Sequence, residues 1–96
     1  MTEQAVGWTR LDASGRAVSN PCKVWGFLVV TGAVTEQVVI YDGQDAGSGR
    51  LFSTLYCAPH GVSAFLFSKP VHFDSGVYVD FIGNIDEVTV LWEPTD

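Results

Sequence analysis

Apolar residues recur along the chain in short runs about ten residues apart, broken by Gly, Pro, Asn, Asp and Ser. That spacing belongs to an antiparallel sandwich or barrel, where strands are short and every turn needs residues that reverse the chain. Strands are predicted over Val6–Leu11, Cys22–Thr31, Gln37–Tyr41, Arg50–Cys57, Val62–Ser68, Val71–Phe73, Val77–Ile82 and Glu87–Trp92. Between them lie the turns DASGR, SNP, TGAVT, DGQDAGSG, APHG, FDSG and GNID. Glycine supplies the positive φ that such turns need, and Pro21, Pro59 and Pro70 fall where a missing N–H does no harm. The expectation is an all-β fold, an antiparallel β-sandwich or jelly-roll-like barrel of about eight short strands. It forms a single domain over residues 1–96, with residues 1–5 as a flexible N-terminal arm.

Alternation nominates the core. Val62, Ala64 and Leu66 share one face of their strand, and Val77, Val79 and Phe81 share one face of theirs. In Cys22–Thr31 both faces are apolar, with Val24, Leu28 and Val30 on one side and Trp25, Phe27 and Val29 on the other. A strand covered on both faces is either central in a closed fold or lies at a subunit contact, and this is the first pointer to an oligomer.

Composition sharpens that pointer. The 96 residues are 47% hydrophobic and 12% aromatic but only 17% charged, and a domain of this size hides only something over ~60% of its unfolded surface. Some of the apolar surface is therefore expected to meet another chain. The net charge of −6 repels phosphate backbones and the basic residues form no cluster, which argues against nucleic acid. The first residues lack the basic patch and apolar stretch of a secretory signal, so the protein is expected to be made in a cytosol. The longest apolar run, Val24 to Val30, is too short to span a bilayer, so no membrane is expected.

Candidate chemistry is sparse. Asp42 and Asp45 flank Gly43 in an oxygen-rich loop, yet no further carboxylate follows before Arg50, so an interstrand connection is preferred over calcium. No Gly-Lys-Ser/Thr ending is present to make a phosphate cradle. Cys57 and His60 form a Cys-x-x-His, and Cys22 with His72 would complete a four-ligand zinc set. Buried packing is the commoner fate of such cysteines, and a cytosolic origin argues against a Cys22–Cys57 disulfide. No nucleophile sits beside a base, so no catalytic residue, metal or cofactor is assigned and a non-enzymatic protein is expected. Trp8 and Trp92 fall in the first and last strands, which often end side by side, where half-exposed indoles pack on a neighbour or, less simply, on a sugar. The interface candidates are Trp8, Trp25, Phe27, Val29 and Trp92.

Read together, VVIYDGQDAGSGRLFSTL and PVHFDSGVYVDFIGNIDEVTVLWEP resemble a pattern found in small β-sandwich structural proteins of tailed bacteriophage virions. The matching pieces are the strand end Ile40–Gly43, the loop and strand start Ser48–Leu51, the turn and strand Phe73–Asp80, and the final Val88–Val90. The resemblance covers roughly the last two thirds of the chain and carries no catalytic signature. It implies a capsid decoration (cement) protein, a homotrimer that binds the major capsid protein of the assembled shell. It would be made in the host cytoplasm and end in the virion. A head-tail or tail accessory protein is the alternative within that class, and a carbohydrate-binding β-sandwich module using Trp8 or Trp92 is the alternative outside it.

Overall fold

The computed structural model describes residues 7–32, 36–83 and 85–95, with the backbone alone at residue 36. The arm over residues 1–5, Val6 and parts of the TGAVT and GNID turns lie outside the described residues. Eight strands follow one another: β1 (Gly7–Leu11), β2 (Gly15–Val18), β3 (Cys22–Thr31), β4 (Glu36–Asp42), β5 (Arg50–Cys57), β6 (Gly61–Phe73), β7 (Val77–Ile82) and β8 (Ile85–Pro94). They form two antiparallel four-stranded sheets, ordered β1-β8-β3-β6 and β2-β7-β4-β5.

This order has a simple origin. β1 pairs with β8, β2 with β7, β3 with β6 and β4 with β5, so the chain is one long hairpin whose successive pairs fall alternately into the two sheets. That is the winding of a jelly roll, in which the tip of the hairpin is the β4–β5 connection. The loop Gly43–Gly49 is that tip.

Two departures from the expected strands have physical causes. Val62–Ser68 and Val71–Phe73 are one strand, β6, which passes through Lys69 and Pro70 by shifting register against β3 between Val24 and Gly26. Pro70 is tolerated there because β6 lies at the edge of its sheet, where an N–H is not needed. The second departure is β2, whose GRAV sequence is short and polar and reads as part of a turn; only Val18 of it is buried.

The core lies between the sheets, and its composition corrects the expected faces. Val77 and Val79 are fully buried and Phe81 packs against the core, as alternation predicts. In β6 the opposite parity wins. Val62, Ala64 and Leu66 point outward, while Phe65 and Phe67 pack inward, because an aromatic side chain hides more apolar area than Val or Ala. In β3 the cause is an inserted residue. Trp25 has no partner on either neighbouring strand, since Val24 pairs with Trp92 and Val71 whereas Gly26 pairs with Leu91 and Leu66. That bulge reverses the parity of everything after it, so Cys22 and Val24 face inward before it and Phe27 and Val29 after it. Phe27, Phe52, Phe67 and Phe73 then gather in one cluster, with centroid separations of 5.0 Å for Phe52–Phe73 and 6.1 Å for Phe27–Phe67.

Gly26 marks the narrowest point of the bulge. A Cβ there would come within 2.5 Å of the Phe65 carbonyl oxygen, and the Leu66 side chain already lies over the position. Phe27→Ala should cost about 3–5 kcal/mol of stability in urea unfolding. Tyr56→Ala, at an exposed outward position of β5, should stay within about 0.5 kcal/mol of the parent. Equal losses at the two sites would refute this assignment of the core.

Candidate functional site

The outward face of the β1-β8-β3-β6 sheet carries much of the exposed apolar surface of the described residues. Cross-strand pairing places Trp8, Leu91, Gly26 and Leu66 in one row across all four strands. The next row is Arg10, Thr89, Leu28 and Ala64, and the row after it holds Glu87, Val30 and Val62. Trp8 is 68% exposed, Val62 67% and Leu66 64%. Three large apolar side chains this open on one sheet face form a patch of the kind that marks an interaction site. Its charges balance: Arg10 pairs with Glu87, the Nε–Oε2 distance being 2.6 Å, and Lys23 lies opposite Glu93.

Of the interface candidates, the sheet brings Trp8 and Trp25 near this surface. Phe27 and Val29 are fully buried in the chain's own core and are not available to a second chain, the parity reversal at Trp25 being the reason. An acidic residue at position 27 therefore tests the fold and not an interface. Trp8 and Trp92 do lie on paired strands, but on opposite faces. Trp8 is opposite Leu91 on the outside, whereas Trp92 packs against the core and its indole N–H donates to the Thr9 hydroxyl at 2.9 Å. The Trp25 indole N–H is buried and has no acceptor among the described residues.

The other end of the candidate chemistry, the hairpin tip, is occupied with holding itself together. Asp42, with a side chain only 8% exposed, accepts the backbone N–H groups of Asp74 (3.0 Å) and Ser75 (2.9 Å) and an Arg50 N–H (3.2 Å). Asp45 accepts both the backbone N–H and the hydroxyl of Ser48, and those bonds hold its carboxyl below the usual range. The Gln44 amide donates to the carbonyls of Ser19 (3.1 Å) and Ser75 (2.5 Å) and accepts from Arg16 (2.6 Å). The loop after β2, the β6–β7 turn and strand β2 are thereby tied to the tip. The carboxylates that suggested calcium are already spent on these bonds.

The four prospective zinc ligands do not converge. Cys22 and His72 sit at the β3 start and the β6 end, whereas Cys57 and His60 are near Thr31 at the far end of β3. Both cysteines are buried free thiols. Among the described residues no group of three His, Cys, Asp or Glu is placed to hold a metal. A cleft of about 120 Å³ is lined by Asp42, Arg50, Leu51, Phe52, His72 and Phe73, and Asp74 pairs there with both Arg50 (3.5 Å) and His72 (3.1 Å). A second cleft, of about 410 Å³, is lined by Trp92, Pro94, Pro21, Asn20, Ser19, Val18 and Ala17. No helix among the described residues is long and apolar enough to cross a membrane.

Comparison with known proteins adds no relative: no family model matches the chain, and neither does any curated protein or solved structure.

Removing Asp42 should expose what the latch contributes. Asp42→Ala leaves two backbone N–H groups without their acceptor and should lower stability by about 1–3 kcal/mol, with Asn at the same position recovering part of it. An unchanged urea midpoint for the alanine variant would contradict the latch.

The thiols give a pH signature. Burial pushes Cys22 from an ordinary 9.0 up to about 11, the neighbouring Asp42 carboxylate adding to the effect, and burial likewise raises Cys57. Between those values the unfolded chain loses a proton that the folded chain keeps, so stability holds below about pH 9 and declines as pH rises toward 11. Native protein at about pH 8 should leave an aromatic disulfide reagent unreacted, and denaturant should release both thiols. Rapid reaction of the native state would show that the core is open.

Proposed function

We propose that this chain is a non-enzymatic virion structural protein, a capsid decoration (cement) protein that binds the assembled shell as a homo-oligomer. The observation that carries the reading is the outward face of the β1-β8-β3-β6 sheet, apolar at Trp8, Leu91, Leu66, Leu28, Val30 and Val62 and balanced in charge. A protein that repeats over a shell needs such a face for its neighbours and an acidic remainder that keeps it soluble before assembly. The net charge of −6 supplies the second requirement. Eight-stranded jelly rolls serve in viral capsid and lectin domains, which supports the reading at the level of fold alone. Phe27 and Val29, expected at an interface, lie in the core, so contacts between copies fall to Trp8, Trp25 and the outward rows.

The test is binding to assembled capsids of the phage that encodes the chain, read by co-sedimentation and by added density in micrographs. The parent protein should pellet with the shells, and Trp8→Glu should weaken binding roughly tenfold or more, as expected for a large anchor at an interface centre. Parent protein that stays in the supernatant at micromolar concentration would end this reading.

The second cleft favours one other reading, a carbohydrate-binding module. Trp92, Pro21 and Pro94 give it an apolar floor and Ser19 and Asn20 a polar rim, the combination that small-ligand sites use. Trp8, on the opposite face of its sheet, has no part in that cleft. Glycan-array binding abolished by Trp92→Ala would replace the virion proposal with this one.

A further inference from the structure

An edge strand offers a row of unpaired backbone groups to any other strand, and folded proteins protect such edges with charge, proline, bulges or short length. Among the described residues four strands of this sandwich are edges: β1 and β6 in one sheet, β2 and β5 in the other. β1 and β2 have five and four residues and carry Arg10 and Arg16; β5 starts with Arg50, although the rest of it is uncharged and holds the exposed Leu51 and Tyr56. β6 is the longest of the four, at 13 residues. Its first eight residues, GVSAFLFS, contain no charge and no proline, and Lys69 and Pro70 fall in the interruption between Leu66 and Val71, where the pairing with β3 shifts register before it resumes. Val62 and Leu66, among the most exposed apolar side chains of the described residues, are both in this segment. Left open, a strand of this composition is an aggregation hazard.

We infer that the free edge of β6 pairs with β6 of a second copy, antiparallel about a two-fold axis at Ala64, to join two four-stranded sheets into one of eight strands. Three observations select a second copy of this chain. The axis at Ala64 places Val62 opposite Leu66 of the partner strand and Ala64 opposite itself, so the outward positions match a large side chain with a large one and a small one with a small one. Each pairing joins residues of the same parity, so both copies keep Phe65 and Phe67 on the core side. The overlap from Gly61 to Phe67 also opposes no two charges, although the chain as a whole carries −6. An axis at Phe65 leaves an uncharged overlap of equal length but opposes Val62 to Ser68 and Ala64 to Leu66, and one at Ser63 runs the pairing into Pro59 and His60, so Ala64 is the axis that matches side-chain sizes. The outward apolar rows of the two copies become continuous across the joint. This inference rests on the homo-oligomer part of the proposal above and on nothing about the capsid.

The experiment is sedimentation of the full chain across the micromolar range, with two variants at the axis. The parent should be a dimer. Ala64→Glu and Ala64→Lys each set like charges directly opposite one another, and each should weaken association by roughly tenfold or more. Because Ala64 is exposed, both variants should keep the parent's circular dichroism. Mixing them in equal amounts should restore the dimer, since only a two-fold contact at this residue turns two repulsive substitutions into an attractive pair. A parent that is monomeric or trimeric, a dimer indifferent to Ala64→Glu, or a mixture that fails to associate would each overturn the inference. Should either variant misfold, hydrogen exchange on the parent decides: protection of Gly61–Phe67 that rises with protein concentration is expected, and protection independent of concentration refutes it. A dimer that ignores capsids would leave the edge pairing standing and remove the virion reading, and a capsid-binding monomer would do the reverse.

Discussion

One inserted residue sets the character of this sandwich. Trp25 has no partner on β8 or β6, and the bulge it makes turns β3 over halfway along its length. Cys22 and Val24 face the core ahead of it, and Phe27, Val29 and Thr31 do so behind it. Without the insertion Gly26 and Leu28 would take inward positions, and the aromatic cluster of Phe27, Phe52, Phe67 and Phe73 would lose its first member. The turn also decides what is left outside. Leu28 and Val30 join Trp8, Leu91 and Leu66 on the outward face because β3 is central in its sheet and both its faces are apolar. The core and the exposed patch are thus two consequences of the same bulge, and a change that removed it would alter both.

The second constraint is the closing of the hairpin tip. A chain wound as nested pairs makes its innermost connection, Gly43–Gly49, far from both termini, and the loop has to be fastened to whatever surrounds it. Asp42 and Gln44 do this by bonding to backbone groups of the β6–β7 turn and, for Gln44, of the loop after β2. The buried Asp42 carboxylate would be costly without those partners, and with them it fixes where β5 and β6 begin and end relative to each other. Polar residues in this loop answer a structural demand, which leaves little there for ligand chemistry and moves attention to the sheet faces and edges.

How much of this was legible in the sequence follows from how local each signal is. Turn residues mark seven of the eight strands because Gly, Pro, Asn, Asp and Ser act on the backbone where they stand. The inward face of β7 was legible because Val77 and Val79 alternate with polar or bulkier outward residues. Alternation gave the wrong face in β6, where Phe65 and Phe67 take the core in place of Val62, Ala64 and Leu66, and it misled in β3, where a bulge leaves no mark on an apolar run. β2 escaped because four residues containing Gly and Arg read as a turn. The exposure of Trp8 was legible from its place in a terminal strand. The role of Gln44 was not, since its partners lie 25 and 31 residues away and leave no local pattern.

Charge is spread unevenly over the surface of this molecule. On the outward face of the β1-β8-β3-β6 sheet Arg10 and Lys23 offset Glu87 and Glu93, and much of the excess of acid lies elsewhere, including Asp12, Asp45, Asp74 and Asp80 at loops and on the second sheet. Two copies meeting through their acidic parts repel one another over about a Debye length, roughly 8 Å at physiological salt, whereas copies meeting through the balanced face or the uncharged β6 edge do not. In any association between copies, repulsion would therefore select orientation before an apolar contact forms. The apolar rows would then attract only in the orientation that the charges leave open, and the same acidic surface would limit how many further copies could add.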